Sequence, residues 1–325
     1  MQYREFGNTG FRVSEVGLGT WQFGGDWGDI SDSEVYSILK SALDCGVNFF
    51  DTADVYGAGK SESMIGKFLQ TQSERTFVAS KLGRLEGYPD NYSLDILRKC
   101  TENSLQRLGR EVIDLTQLHC IPARWLKSGE IFDWLRVLRD EGKIRYFGAS
   151  VETVEQALIC LEQDDLTSLQ IVFNIFRQKP LQTLFRKAAE KKVALIIRLP
   201  LASGLLSGKY TRNTTFSPSD HRSYNRDGQA FNAGETFSGL DFEYGLDLVD
   251  RIRPLVPASM SMSQFALRYI LDYPEVSVVI PGASGSKQVI SNVSSTGFDQ
   301  LGKHVHLTLA QLYKDEIEKN IKVEV

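Results

Sequence analysis

Short apolar runs rich in β-branched residues recur along the whole chain, separated by stretches whose apolar residues repeat at helical spacing. The strand-like runs are "EVGLG" (Glu15 to Gly19), "VNFF" (Val47 to Phe50), "TFVAS" (Thr76 to Ser80), "IDLTQLH" (Ile113 to His119), "IRYFGAS" (Ile144 to Ser150), "LQIVFN" (Leu169 to Asn174), "VALIIR" (Val193 to Arg198) and "VSVVI" (Val276 to Ile280). A chain that alternates strand and helix buries both faces of its strands, which selects a parallel sheet. Eight such units close most naturally into a (β/α)8 TIM barrel. At 325 residues the whole length is expected to form a single domain, as α/β barrels commonly do.

Helix signals sit between the strands. "SDSE" (Ser31 to Glu34) has the form of a capping box, Val35, Ile38, Leu39 and Ala42 share one face, and Gly46 suits a left-handed C-terminal cap. Further helices are expected near Ser93–Leu108, Ile131–Asp140, Thr153–Gln163, Leu181–Lys191, Ser261–Leu271 and Ser286–Ser294, with a final one from about Thr308. Two pieces fall outside the repeat. Met1 to Ser14 reads as an N-terminal hairpin around "GNTG" that could cover the barrel's bottom. Leu206 to Asp241, polar and Gly-rich, reads as a long structureless loop after strand seven, closing over the mouth.

Composition narrows the chemistry. A net charge of −4 without a dense Lys/Arg run argues against nucleic acid or a membrane surface as partner. No apolar stretch approaches the roughly 20 residues of a membrane-spanning helix. Cys45, Cys100, Cys120 and Cys160 are widely spaced with no CxxC pair, and no leader-like segment opens the chain, so reduced thiols and a cytoplasmic location are expected. No metal is expected.

Barrel active sites are built at the C-terminal ends of strands. There the sequence places Asp51, Lys81, His119, Ser150, the Gln170–Asn174 stretch and Arg198, one polar group per strand over six consecutive strands. Singly, an Asp after a strand is an ordinary turn cap, a Lys is solvated and a His is a satisfied core residue. Unrelated residues of that kind would not converge on one mouth. A Lys81–Asp51 pair would keep the lysine charged despite burial. Tyr56, on the loop leaving strand two, could reach Lys81, whose charge would lower the phenol's pKa and make it a usable proton donor. His119 could hold a carbonyl oxygen beside it. Asp54 reads as bracing the turn.

These residues resemble the aldo-keto reductase family. The likeness runs through "VGLGTW", "FFDTADVYG", "ASKLG", "DLTQLH", "RYFGAS", "LASGLLSGKY" and "VVIPGAS", an ordered series over nearly the whole chain. It implies a tetrad of Asp51, Tyr56, Lys81 and His119, with Tyr56 as general acid/base, Lys81 tuning it, Asp51 supporting Lys81 and His119 orienting the carbonyl. It further implies hydride transfer between a nicotinamide cofactor, NADPH or alternatively NADH, and a small carbonyl compound or sugar. Ser150 and Gln170 match positions that hold the carboxamide, and Asn292 one that contacts adenine. Gly19, Thr20, Trp21, Pro200, Leu201, Ser203, Gly282, Ser284, Lys287 and Gln288 complete the implied cofactor site.

Three departures stand out. Arg198 replaces a common aromatic, Val151 replaces a common Asn after Ser150, and "PGASGSKQVISN" offers Lys287 as its one basic residue, which puts a preference for NADPH in doubt. The start of the helix near Ser286 could still offer backbone amides to a phosphate. Trp27, Asp220, His221, Arg222, Tyr224 and Arg226, in the loops after strands one and seven, suit a polyol or sugar. Two other functions compete: a Schiff-base lyase using Lys81 as nucleophile, and a cofactor-sensing subunit without catalysis. Oligomeric state leaves no mark in the sequence.

Overall fold

The computed structural model describes residues 1–324. Strands β1 (Tyr3–Glu5) and β2 (Arg12–Ser14) form an antiparallel hairpin. The remaining strands, β3 (Leu18–Gly19), β4 (Phe49–Asp51), β5 (Phe77–Leu82), β6 (Ile113–His119), β7 (Ile144–Ser150), β8 (Ser168–Val172), β9 (Ala194–Arg198) and β10 (Val276–Val279), lie side by side in chain order. All are parallel. Parallel bridges from Val16 to Val279 and Gly19 to Gly282 join the first strand to the last, so the sheet closes into the expected (β/α)8 barrel.

Helices α1 (Asp32–Asp44), α2 (Lys60–Leu69), α3 (Leu94–Leu108), α4 (Ala123–Ser128), α5 (Glu130–Asp140), α6 (Val154–Cys160), α7 (Pro180–Glu190), α8 (His221–Tyr224), α9 (Phe242–Ile252), α10 (Met262–Leu271), α11 (Ser286–Ser294) and α12 (Lys303–Leu312) complete the chain. The capping box at Ser31 forms, α1 buries Val35, Ile38, Leu39 and Ala42, and Gly46 takes φ 84°. Helix α6 ends at Cys160, short of the expected Gln163, and the final helix begins at Lys303 rather than near Thr308. Helices α2, α4, α8 and α9 add to those expected. No helix among the described residues is long and apolar enough to cross a membrane. The four cysteines are unpaired.

Two apolar cores divide the work. One lies between the strands and the surrounding helices, and the other fills the barrel interior with Phe49, Phe77, Leu115, Ile196 and Val278. The hairpin plugs that interior from below: Phe6, with no exposed surface, packs its ring at a tilt 5.5 Å from Phe49 and 5.1 Å from Phe77. Burying such a ring contributes about 1.5–3 kcal/mol. The plug leaves the opposite end as the open mouth.

The segment after β9 departs from the expected structureless loop. It is built from short turns at Ala202–Ser207, α8, Ala233–Glu235 and Phe237–Gly239, followed by α9. Leu199, Ala202, Ser203, Phe237 and Ser238 all have positive φ, a costly conformation that persists where surrounding bonds over-determine it. Here they do: Ser203 Oγ donates to the Glu235 carbonyl at 3.0 Å and accepts from the Phe237 amide at 3.1 Å. The segment crosses the mouth, where the His221 amide donates to the Asp26 carbonyl at 2.9 Å.

Candidate active site

Strand register decides which side chains meet. His119 pairs with Ser150 and Ser150 with Gln170, while Lys81 pairs with Gln117, so strand ends from β4 to β9 bring their polar residues to one rim. After β4 the chain follows β5 one step further, with the Thr52 amide on the Ala79 carbonyl and the Asp54 amide on the Lys81 carbonyl. It then turns at Gly57 and Gly59, both with positive φ, into α2. That turn sets Tyr56 over Lys81.

The ammonium of Lys81 lies 2.5 Å from Asp51 Oδ1, 2.8 Å from the Thr52 carbonyl and 3.2 Å from Tyr56 Oη. Asp51 Oδ2 accepts from Gln170 Nε2 at 2.7 Å and from Gln117 Nε2 at 3.3 Å. Tyr56 stacks against Trp21 at 6.1 Å and meets the His119 ring edge-on at 5.9 Å. The tetrad residues are therefore assembled, and Gln170 and Gln117 extend the set. Gln170, matched to a carboxamide contact, spends its amide on Asp51 and accepts from Ser150 Oγ at 3.3 Å.

Electrostatics give each group a state. Burial would lower the Lys81 pKa, but Asp51 and Tyr56 more than offset it, so the lysine is held charged above its ordinary value. An ammonium so paired has no lone pair for attack on a carbonyl, which speaks against a Schiff-base role. Burial raises the Tyr56 phenol above its ordinary value and Lys81 pulls the other way without winning. The lowering expected from the lysine is thus overturned as a net effect: at neutral pH Tyr56 is an O–H donor. Burial, with Arg84, Lys81 and Arg198 nearby, pushes His119 well below the usual imidazole range, so it is neutral.

The Asp54 carboxylate is buried in its turn beside the Val55 amide, and burial together with the charge of Glu62 raises its pKa to about 7.

Two cavities meet at Trp21, Tyr56, His119 and Glu235. The larger, about 550 Å³, is lined by Gly19, Thr20, Gln170, Arg198, Pro200, Leu201, Ser203, Gly282, Ser284, Gln288 and Asn292 among the anticipated residues. Ser150 lies behind Gln170 and Lys287 is exposed outside the lining. Lys209 and Arg222, in the long segment, also line this groove and were not anticipated for it as phosphate partners. Arg198 does not stand free: its Nη2 donates to the Val151 carbonyl at 3.1 Å and contacts Cys120 Sγ at 3.6 Å, with Nη1 3.6 Å from Glu235. The backbone at Val151 therefore supplies a partner that its side chain cannot.

The smaller cavity, about 350 Å³, is lined by Asp26, Arg84, Glu152, Tyr88, Tyr224 and Phe231 besides the shared residues. Arg84 and Glu152 lie two residues beyond the ends of β5 and β7, a position that could have pointed to them; nothing in the sequence marks Glu235. Of the loop residues expected to face a sugar, Tyr224 lines this chamber, whereas Trp27 and Arg222 line the groove. Asp220 and His221 are buried as fasteners, the His221 ring 4.7 Å from Trp21 and 4.3 Å from Trp27, and Arg226 is exposed.

A closed barrel with a buried Lys81–Asp51 ion pair beneath Tyr56 and His119, where two mouth cavities join, defines a class of enzyme-like sites, and sequence comparison names it. A sequence model of the Aldo/keto reductase family matches residues 15–314. Aldo-keto reductase YhdN of Bacillus subtilis is 29% identical over 306 residues, covering 92% of this chain and 89% of that protein. The NADH-specific methylglyoxal reductase of Escherichia coli is 27% identical over 310 residues, 89% and 91% of the two chains. Among solved structures, the glycerol dehydrogenase AKR11B4 from Gluconobacter oxydans superposes with a TM-score of 0.78 at 28% identity, covering 99% of this chain and 97% of that one. The chain belongs to the aldo/keto reductase family.

Proposed function

We propose that this protein is a nicotinamide-dependent oxidoreductase that interconverts a small carbonyl compound and its alcohol, with Tyr56 as the proton donor and acceptor. One observation carries the reading: Tyr56 Oη, 3.2 Å from the Lys81 ammonium, stands with neutral His119 at the junction of two cavities. A cofactor and a substrate that entered separate cavities would meet there.

The groove fits a dinucleotide by its donor set. Helix α11 opens with Gly285 and no side-chain cap, so the backbone amides at its start could hold a phosphate, and Lys209 would add charge. A Cβ on Gly19 would lie 2.7 Å from the Ile280 carbonyl, and one on Gly282 2.5 Å from Gln22, so neither groove-lining position takes a side chain without moving its neighbour. Asn292 and Gln288 would border the adenine end, with Arg198, Gln170 and Thr20 at the nicotinamide end. The bound nicotinamide supplies or accepts the hydride at the substrate carbon.

The protein's own part is proton management. His119 would donate to the carbonyl oxygen from one ring nitrogen, placing that oxygen against Tyr56 Oη. As hydride reaches carbon, Tyr56 passes its proton to the developing alkoxide, and the phenolate left behind is stabilised by the Lys81 ammonium, itself fixed by Asp51, Gln170 and Gln117. In oxidation the same atoms run in reverse.

Tyr56→Phe tests this. It should abolish turnover of any aldehyde by roughly 10²-fold or more, while NADPH and NADH still quench tryptophan fluorescence as in the wild type. Normal turnover in the variant would remove Tyr56 from the reaction. The paired titration also ranks the two cofactors.

A further inference from the structure

The smaller chamber holds charges that proton transfer does not use. Arg84 follows Gly83, whose φ of 105° turns the chain out of β5. Its Nη2 donates to Glu152 Oε1 at 3.1 Å and to Glu235 Oε1 at 2.8 Å. Among the described residues the guanidinium makes no other hydrogen bond, which leaves Nε and Nη1 as donors, and Oε2 of each glutamate as an acceptor, in the wall of one cavity. Glu235 also lies 3.6 Å from Arg198. Two guanidiniums thus meet two carboxylates, and the cluster carries no net formal charge.

In the chamber wall the Arg84 donors stand beside the Glu152 and Glu235 acceptors, with Asp26 also in the lining, and a group that both donates and accepts, such as a hydroxyl, complements such a pair without adding charge. A bare alkyl chain would drive water from the wall and leave its donors unpaired, a loss of tenfold or more in selectivity for buried polar groups. A carboxylate could reach Arg84 only beside Glu152 and Glu235, against their charge. Trp21, Tyr88 and Phe231 offer apolar faces to carbon–hydrogen surfaces, and about 350 Å³ is at the small end of ligand cavities.

We propose that Arg84, braced by Glu152 and Glu235, is a specificity-determining residue that reads hydroxyls on a neutral substrate, selecting hydroxylated carbonyl compounds over bare or anionic ones of similar size. This rests on the proposed oxidoreductase function.

The test compares kcat/KM for glyceraldehyde, propanal and glyoxylate. Wild type should favour glyceraldehyde over each by about tenfold or more. Arg84→Met should lower the glyceraldehyde-to-propanal ratio by about tenfold, chiefly through KM for glyceraldehyde, and Glu152→Gln should raise glyoxylate relative to glyceraldehyde. Should Arg84→Met not fold, Arg84→Lys keeps the charge but not the fork and should lower the ratio by a smaller factor. A ratio that ignores the Arg84 variant in hand overturns the proposal, because an arginine that only anchors the loop would affect all three substrates alike. So does a wild type indifferent to the three. If one aldehyde is turned over in a Tyr56-dependent way but the ratio ignores Arg84, this inference alone falls; if none is turned over with either cofactor, the proposed function falls with it.

Discussion

Gln170 Nε2 lies 2.7 Å from Asp51 Oδ2, a bond that crosses the barrel interior from β8 to β4. With Lys81 on Oδ1, it fills both oxygens of a carboxylate that is 2% exposed. Gln170→Leu leaves Oδ2 with Gln117 at 3.3 Å as its remaining partner. We expect a loss of about 1–3 kcal/mol, the cost of stripping a buried acceptor, read as a lower urea midpoint. An unchanged midpoint would show that the bond contributes little.

The states of Tyr56 and His119 predict the pH dependence. Reduction needs protonated Tyr56, whose pKa is raised, so the rate at saturating cofactor should stay level through neutrality and fall only above the ordinary phenol value of 10.0. Lys81→Met removes a charge that lowers that pKa, which should move the alkaline limb higher still. His119 is already neutral at its ordinary value of 6.5, so no inflection should appear there. A limb near that pH that His119→Asn abolishes would contradict this state.

Asp54 predicts a stability that depends on pH. Its pKa rises from 3.8 to about 7 on folding, so its contribution is complete below the lower value and is lost as pH climbs through the higher one. Asp54→Asn should match the wild type near pH 4 and exceed it at pH 8 by a few kcal/mol at most, at about 1.4 kcal/mol per unit. Thermal melts at the two values measure the gap. Equal melting at both would mean the carboxyl titrates normally.

Gly24 ties the first barrel loop to the proton donor. A Cβ there would sit 2.5 Å from the Gly57 amide nitrogen and 2.8 Å from the Tyr56 carbonyl carbon, both backbone atoms that cannot swing aside. Gly24→Ala should cost about 1–3 kcal/mol by overpacking and lower kcat by about tenfold as Tyr56 is displaced from Lys81. Thermal melts and steady-state kinetics on one preparation separate the two effects, and full kcat would show that the turn absorbs the methyl elsewhere.

Much of this was legible before any coordinates. β6, β7 and α11 have the bounds their residues suggested, because an apolar run ending in a polar residue marks a buried strand reaching the rim, and Ser286–Ser294 holds one helical face. Helix α2 was not, since Lys60–Leu69 follows a Gly-rich turn with no capping side chain at Gly59. The segment after β9 looked structureless because its order comes from distant partners, such as Ser203 with Glu235 and His221 with Asp26, not from its own periodicity.

Local pattern was enough for the barrel and for setting Asp51, Lys81 and His119 at its rim, since strand period and strand ends are properties of neighbouring residues. Closure decided the rest. Whether Lys81 could win over burial for Tyr56, whether Gln170 faces Asp51, and whether Arg84 shares Glu235 with Arg198 depend on dielectric and distance across strands far apart in sequence. Those terms exist only after the chain has folded.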